Sequence, residues 1–256
     1  MLRFLGSSQR TRTSLNEVTS NLYRASVTRS DWSDVRERLA RLAAAPSAVD
    51  AFESSSHGWQ LEPPMRAEEL AEAEAQLQVE LPGEYRSFLL EAGRGGAGPT
   101  YGLFPMRRTN GRWQWEGDGA SLTDLDTLGQ PFPHVEAFNP ADDLPEPPDE
   151  ANYHSVDEFN AAEDDYWEQH DAIVFKPEHS IGLLYLRHLG CALREALVIS
   201  GPARGQMWAD DTADGGGFRP LLDDDGTPLD FARWYRRWLN EAETSTDARS
   251  GVAPSQ

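Results

Sequence analysis

Between Glu116 and Asp171 the chain carries 17 Asp and Glu residues and no Lys or Arg, and prolines recur through it. A stretch so charged cannot supply a core, because carboxylates are seldom buried without a partner. Any fold must therefore draw its interior from the two flanks. Much of 139–152 reads as loop, with Pro, Asp, Glu and Asn crowded together.

The flanks can supply that interior. The 256 residues are 39% hydrophobic and 10% aromatic, with eight Trp. That is richer than a disordered chain and long enough to bury a substantial core. The formal net charge is −20. Such a field repels nucleic acid and anionic membranes and speeds encounter with basic proteins. Only the first 45 residues lean basic, with eight Arg against four acidic residues. Cys191 is the only cysteine, so no intrachain disulfide is possible and a reducing compartment fits. No signal peptide and no run of about 18 apolar residues is visible. The expectation is a cytoplasmic protein, monomeric when free, that uses no membrane and no nucleic acid.

Hydrophobic periodicity predicts the elements. Residues 1–29 read as a loosely ordered arm. Trp32, Val35, Leu39 and Leu42 predict a helix over 31–45, ended by Pro46. A second helix is expected over 66–80, and a third after Pro82 with Tyr85, Phe88, Leu89 and Ala92 on one stripe. The glycines at 93–98 stop it. Trp113 and Trp115 alternate as in a strand, one of them facing the core and the other free to anchor a partner. Ser155 and Glu158 form a capping box for a modest helix over 155–168. Four strands are then expected, at 172–175, 181–186, 195–200 and 205–209. Phe231, Trp234, Tyr235 and Trp238 fall at i, i+3, i+4 and i+7 on a closing helix. Residues 243–256 read as a disordered tail. Helices first, then close-spaced strands, then a helix, is an α+β order.

The segment 66–105 resembles the signature of the SUKH superfamily, the Smi/Knr-type proteins. It is carried by Glu74, Leu77, Leu81-Pro82, Glu84-Tyr85-Arg86, Phe88-Leu89, Gly95-Gly96 and Tyr101-Gly102-Leu103. A distal block, Gly190-Cys191, Leu197-Val198, Ser200-Gly201, Gly205, Trp208 and Asp210, and the Trp234/Trp238 helix extend the likeness over about 60–240. The resemblance implies an α+β fold with a mixed or antiparallel sheet flanked by helices. It divides the chain into an arm and helix over 1–60, a SUKH-like domain over 61–242 with an acidic insert at about 116–171, and the tail. Bacterial members resemble immunity proteins that bind and neutralise a cognate toxin, and fungal relatives are regulators. The superfamily has no assigned catalytic residues, so none is carried over. Its motif positions are mostly scaffold, which alone does not specify function.

The sequence offers several other kinds of chemistry. The acidic stretch is either a docking face for a basic toxin, possessing a positive substrate cleft, or a solvated loop. Its contact candidates are Asp142, Asp143, Glu146, Asp149, Glu150, Asp157, Glu158, Glu163, Asp164 and Asp165, which could pair with Arg or Lys of a partner. Asp210-x-Thr212-x-Asp214-Gly215 resembles half a calcium loop, but Leu221 stands where a bidentate Glu is needed, and the run reads as an ordinary Asp/Gly turn. The six His show no zinc-binding spacing, and no nucleophile elbow or phosphate loop occurs. Cys191 reads as a small buried hydrophobe. Trp234, Tyr235 and Trp238 read as core rather than a ligand cage. The expectation is therefore a non-enzymatic binding protein without metal or cofactor. A regulatory module with a non-toxin partner and a carboxylate- or metal-dependent hydrolase are the alternatives.

Overall fold

The computed structural model describes residues 31–46 and 56–250; the expected arm over 1–29 lies outside them. Five α-helices and two antiparallel sheets make up the described fold, an α+β arrangement. The helices are α1 (Val35–Ala44), α2 (Ala67–Leu77), α3 (Gly83–Glu91), α4 (Val156–Val174) and α5 (Phe231–Ser250). A hairpin pairs β1 (Met106–Thr109) with β2 (Arg112–Trp115). The larger sheet is a meander of β3 (Leu183–Gly190), β4 (Leu193–Val198), β5 (Met207–Asp210) and β6 (Phe218–Pro220), each strand beside its sequence neighbour.

The core is aromatic and is pinned by hydrogen bonds. Trp32, Phe88, Phe231 and Tyr235 meet at 4.9–6.1 Å between ring centres, edge-on or tilted except for the stacked Phe231–Tyr235 pair. Their polar atoms are satisfied inside: Trp32 Nε1 donates to Ser87 Oγ at 2.8 Å and the Tyr235 hydroxyl to the Ala97 carbonyl at 2.9 Å. Trp115 Nε1 donates to the Tyr85 hydroxyl at 2.7 Å. Buried Trp and Tyr usually find partners of this kind, although Nε1 of Trp59, Trp113, Trp208 and Trp238 is buried with none among the described residues. Trp113 and Trp115 are both buried, so neither is the exposed anchor that alternation allowed. Residues two apart on a strand share a face, and here that face is the inner one.

The signature residues have distinct physical jobs. Leu77, Leu81, Pro82, Tyr85, Phe88, Trp208, Trp234 and Trp238 are buried. Glu74 clamps α2 to α3: its carboxylate accepts the Leu81 N–H at 2.9 Å and the Arg86 guanidinium at 2.7 and 3.0 Å. Gly95 and Gly96, with φ of 145° and 104°, lie where two backbones cross. A Cβ on Gly95 would run into Pro105, and one on Gly96 into the Gln60 carbonyl. No side chain fits either place, which is why glycine stands there. Gly102 follows at the bridge between Gly96 and Leu103. Tyr101 is half-exposed and stacks on His188 at 4.1 Å rather than entering the core.

Several sequence expectations are corrected. Residues 172–175 form the last turn of α4 and not a strand; the Phe175 N–H reaches the Asp171 carbonyl at 3.1 Å. A four-residue apolar run does not distinguish a strand from a helix end. The strand that replaces it in the sheet is β6, too short and polar to announce itself. Cys191 is exposed. It sits with Ala192 in a two-residue hairpin loop, both at positive φ of 49° and 62°, the twist that such a turn demands. The helix α5 continues through Ser250, so 243–250 is ordered helix where a disordered tail was expected; 251–256 lie outside the described residues. Residue 60 is not a packing boundary either. Trp32, Val35, Leu39 and Leu42 belong to the same core as the rest, and Arg38 and Arg236 tie α1 to α5 through Glu243 and Asp34.

Candidate interaction surface

Most of the net charge sits in one stretch. The 200 residues outside 116–171 carry 26 acidic and 23 basic side chains, whereas 116–171 carries 17 acidic and no basic ones. Among the described residues the arginines that form ion pairs do so with carboxylates outside this stretch, such as Arg86 with Glu74, Arg187 with Glu195, Arg219 with Asp211 and Arg237 with Glu241, except for Arg107 with Glu116 at its edge. Among the described residues none of the ten candidate carboxylates is ion-paired with an Arg or Lys. Much of the described positive charge is thus paired within the chain, and the candidate carboxylates face water.

The ten candidates lie on three consecutive pieces. Asp142 and Asp143 belong to a 3-10 turn, Pro140–Asp143, which packs against α4 and is capped by the Asn139 side chain. Glu146 lies in the following loop. Asp149 caps the next turn, Glu150–Asn152, by accepting the Ala151 N–H at 3.0 Å. Tyr153 leans on Phe159 at 5.8 Å, which ties this turn to α4. The remaining five are on α4 itself. Nine of the ten are exposed, and Glu163 is half-buried.

The helix α4 is longer than expected, 19 residues, and only Val174 in it is buried. Ser155 caps it, its hydroxyl accepting the Glu158 N–H at 3.2 Å. Glu158 reaches back to the His154 N–H, also at 3.2 Å, one residue earlier than a standard capping box. Asp157 and Glu158 in the first turn suit the positive end of the helix. Phe159, Ala162, Tyr166, His170 and Ile173 form the inward stripe, half-buried throughout. Asp157, Asp164, Glu168 and Asp171 recur on the opposite, exposed face. At the far end the His179 ring bonds the Ile173 carbonyl at 2.8 Å and so satisfies one of the free carbonyls of the last turn.

Sequence reasoning missed the apolar part of this surface. Trp167 is 51% exposed and Phe175 is 57% exposed. Trp167 meets His170 at 5.0 Å, and His170 lies 6.2 Å from Phe175. An aromatic run therefore borders the acidic face. The signal was present: Trp167 is adjacent to Tyr166 and so about 100° around the helix from it, outside any single inward stripe. Phe175 leads to a cleft of about 470 Å³ between the end of α4, the loop at Leu122 and the strands β3 to β6.

Asp210, the first residue of the calcium-like run, turns inward in that cleft. Its carboxylate accepts the Tyr185 hydroxyl at 2.7 Å and the Thr212 hydroxyl at 2.6 Å. Burial, and then the neighbouring Asp210 charge, push the Tyr185 hydroxyl well above its ordinary pKa, so it remains a donor. The run closes as a turn at Gly215, in the left-handed region. Among the described residues no group of three or more His, Cys, Asp or Glu is arranged to hold a metal ion, and no helix is long and apolar enough to cross a membrane.

The SMI1 / KNR4 family model (SUKH-1) matches residues 64–218, more than half of the chain and inside the span of about 60–240 that the sequence motifs cover. It includes the Glu74 clamp, the glycine crossing, α4 and most of the larger sheet. Neither a curated protein nor a solved structure matches the chain. The chain is a member of the SMI1 / KNR4 family (SUKH-1).

Proposed function

We propose that this protein is an immunity-type binder that neutralises a cognate basic toxin by lying over its functional cleft. The observation that carries the reading is the division of charge: arginines paired inside the fold, and unpaired carboxylates gathered on α4 and the turns before it. A toxin that acts on nucleic acid presents cations where phosphates bind, and an acidic face can occupy those positions through charge-assisted hydrogen bonds. Occlusion of this kind needs no reacting group, in keeping with a family of binding and regulatory domains. The fold supplies a stiff platform, and α4 supplies the projecting face.

The test is co-expression with the product of the adjacent gene. Protection of growth, a stable complex, and an association rate that falls steeply from about 50 to about 500 mM salt are the expected results. A neighbouring product that is not toxic but still binds would point to the regulatory reading. Association insensitive to salt would remove the charge-based mechanism while leaving family membership intact.

A further inference from the structure

The cleft beside α4 has a different character from the acidic face it adjoins. Leu122, Val174, Phe175, Ala213 and Phe218 contribute to its walls, and its exposed lining is mainly apolar. Its charged lining residues are two of each sign, Asp124 and Asp210 against Lys176 and Arg194. Asp210 is already satisfied by Tyr185 and Thr212, and Arg194 donates to the Ala192 carbonyl at 2.5 Å. The cleft is thus close to electrically balanced, while the face beside it is uniformly negative. Of its lining residues, Phe175 and Leu122 are 57% and 45% exposed within the described residues.

Resting on the reading above, we infer that this cleft receives an uncharged apolar side chain of the same basic partner, with α4 holding the cations around it. An apolar centre inside a charged rim is the usual anatomy of a protein interface, and a few side chains seated in pockets carry most of its energy. The charge pattern selects this occupant. Within the cleft the charges of the two signs offset each other and give a cation no net attraction, whereas along the outer face of α4 a cation meets Asp157, Asp164, Glu168 and Asp171. The aromatic run of Trp167, His170 and Phe175 joins the two zones into one surface. A volume of about 470 Å³ leaves ample room for one apolar side chain.

The experiment titrates the full isotope-labelled chain with three short synthetic peptides, followed by backbone amide NMR. One is built of lysine and serine with a central leucine pair. The second has the same charge with serine in place of the leucines. The third keeps the leucines but carries glutamate for lysine. The leucine–lysine peptide is expected to bind about tenfold tighter than its serine counterpart, the scale of one well-buried apolar side chain, and to shift amides near Leu122, Ala213 and Phe218. The exposed substitutions Ala213→Trp, which fills the cleft, and Phe175→Ser, which removes its lip, should each abolish that tenfold difference and leave the serine peptide's affinity unchanged. Equal affinity of the two lysine peptides, or a difference that survives both substitutions, would overturn the assignment of the cleft while the acidic face stands. Equal binding of the glutamate peptide, or no binding of either lysine peptide at low salt, would overturn the charge reading and the cleft assignment with it. Cleft amides that shift with protein concentration alone would identify a second copy as the occupant and refute a basic partner there.

Discussion

Arg187 and Glu195 show how much can hang on one pair. They face each other across β3 and β4, with side chains only 7% and 9% exposed, and Arg187 Nε meets Glu195 Oε2 at 2.6 Å. The same carboxylate oxygen accepts Trp234 Nε1 at 3.0 Å, and the guanidinium also reaches the Thr100 hydroxyl at 2.7 Å. One ion pair thus links the sheet, α5 and the corner after the glycine crossing. Replacing both members by apolar residues of similar size can be nearly neutral, but removing one strands a buried charge at about 3–5 kcal/mol. Glu195→Ala should therefore lower the unfolding free energy by that amount, read as a lower urea midpoint with an unchanged slope, and Arg187→Met with Glu195→Leu should recover most of the loss. A shift under about 1 kcal/mol for Glu195→Ala would mean that water reaches the guanidinium in solution. Nothing in the sequence marked this pair. A charged residue in a short strand reads as solvent-facing, and its partner is set by register and by a helix 39 residues away. The Glu74 motif position was legible because family resemblance flagged it, but its clamping role needed the geometry.

Among the elements, α1, α2, α3 and α5 were readable because each buries a stripe at helical spacing. The cores of β3, β4 and β5 were readable as apolar runs between turns. The helix α4 was half readable. Its cap at Ser155 was visible, but its end was not, since Ile173, Val174 and Phe175 have the composition of a strand. They extend the helix because the preceding turn supplies the carbonyls and His179 closes the end. The acidic face was legible as composition, and its placement on one helix face beside Trp167 was not. The face also has a kinetic consequence. Asp157→Asn, Asp164→Asn and Asp165→Asn together leave the inward stripe untouched. They should slow association with a basic partner about tenfold at low salt, and change dissociation little, because exposed rim charges act mainly through encounter. Stopped-flow measurement decides it: an unchanged on-rate with a faster off-rate would place these carboxylates in desolvated contacts instead.

At the scale of the whole molecule, stability and charge are separated in space. The aromatic core joins α1, α3 and α5 to the sheet, and the ion pairs between Arg38 and Glu243 and between Arg236 and Asp34 hold its outer helices together. The binding surface proposed here lies on α4, which has 19 residues and one buried side chain. A helix gains most of its stability in a protein from a packed face, so α4 should open without the rest of the fold. Hydrogen exchange measures this directly. Amides of 158–171 should exchange well before those of β3, β4 and β5, in a transition that does not expose the core. The unpaired carboxylates contribute, since like charges at i and i+3 or i and i+4 on one face repel. High salt should therefore slow exchange in α4 and leave the sheet unaffected. Bound to a basic partner, the helix should gain the protection that its own core does not give it, because the partner supplies both the missing countercharge and the missing contact for Trp167. Exchange of α4 in step with the sheet, in the free protein at low salt, would show that its half-buried stripe suffices to hold it. The acidic face would then be a fixed template and not a helix stabilised by what it binds.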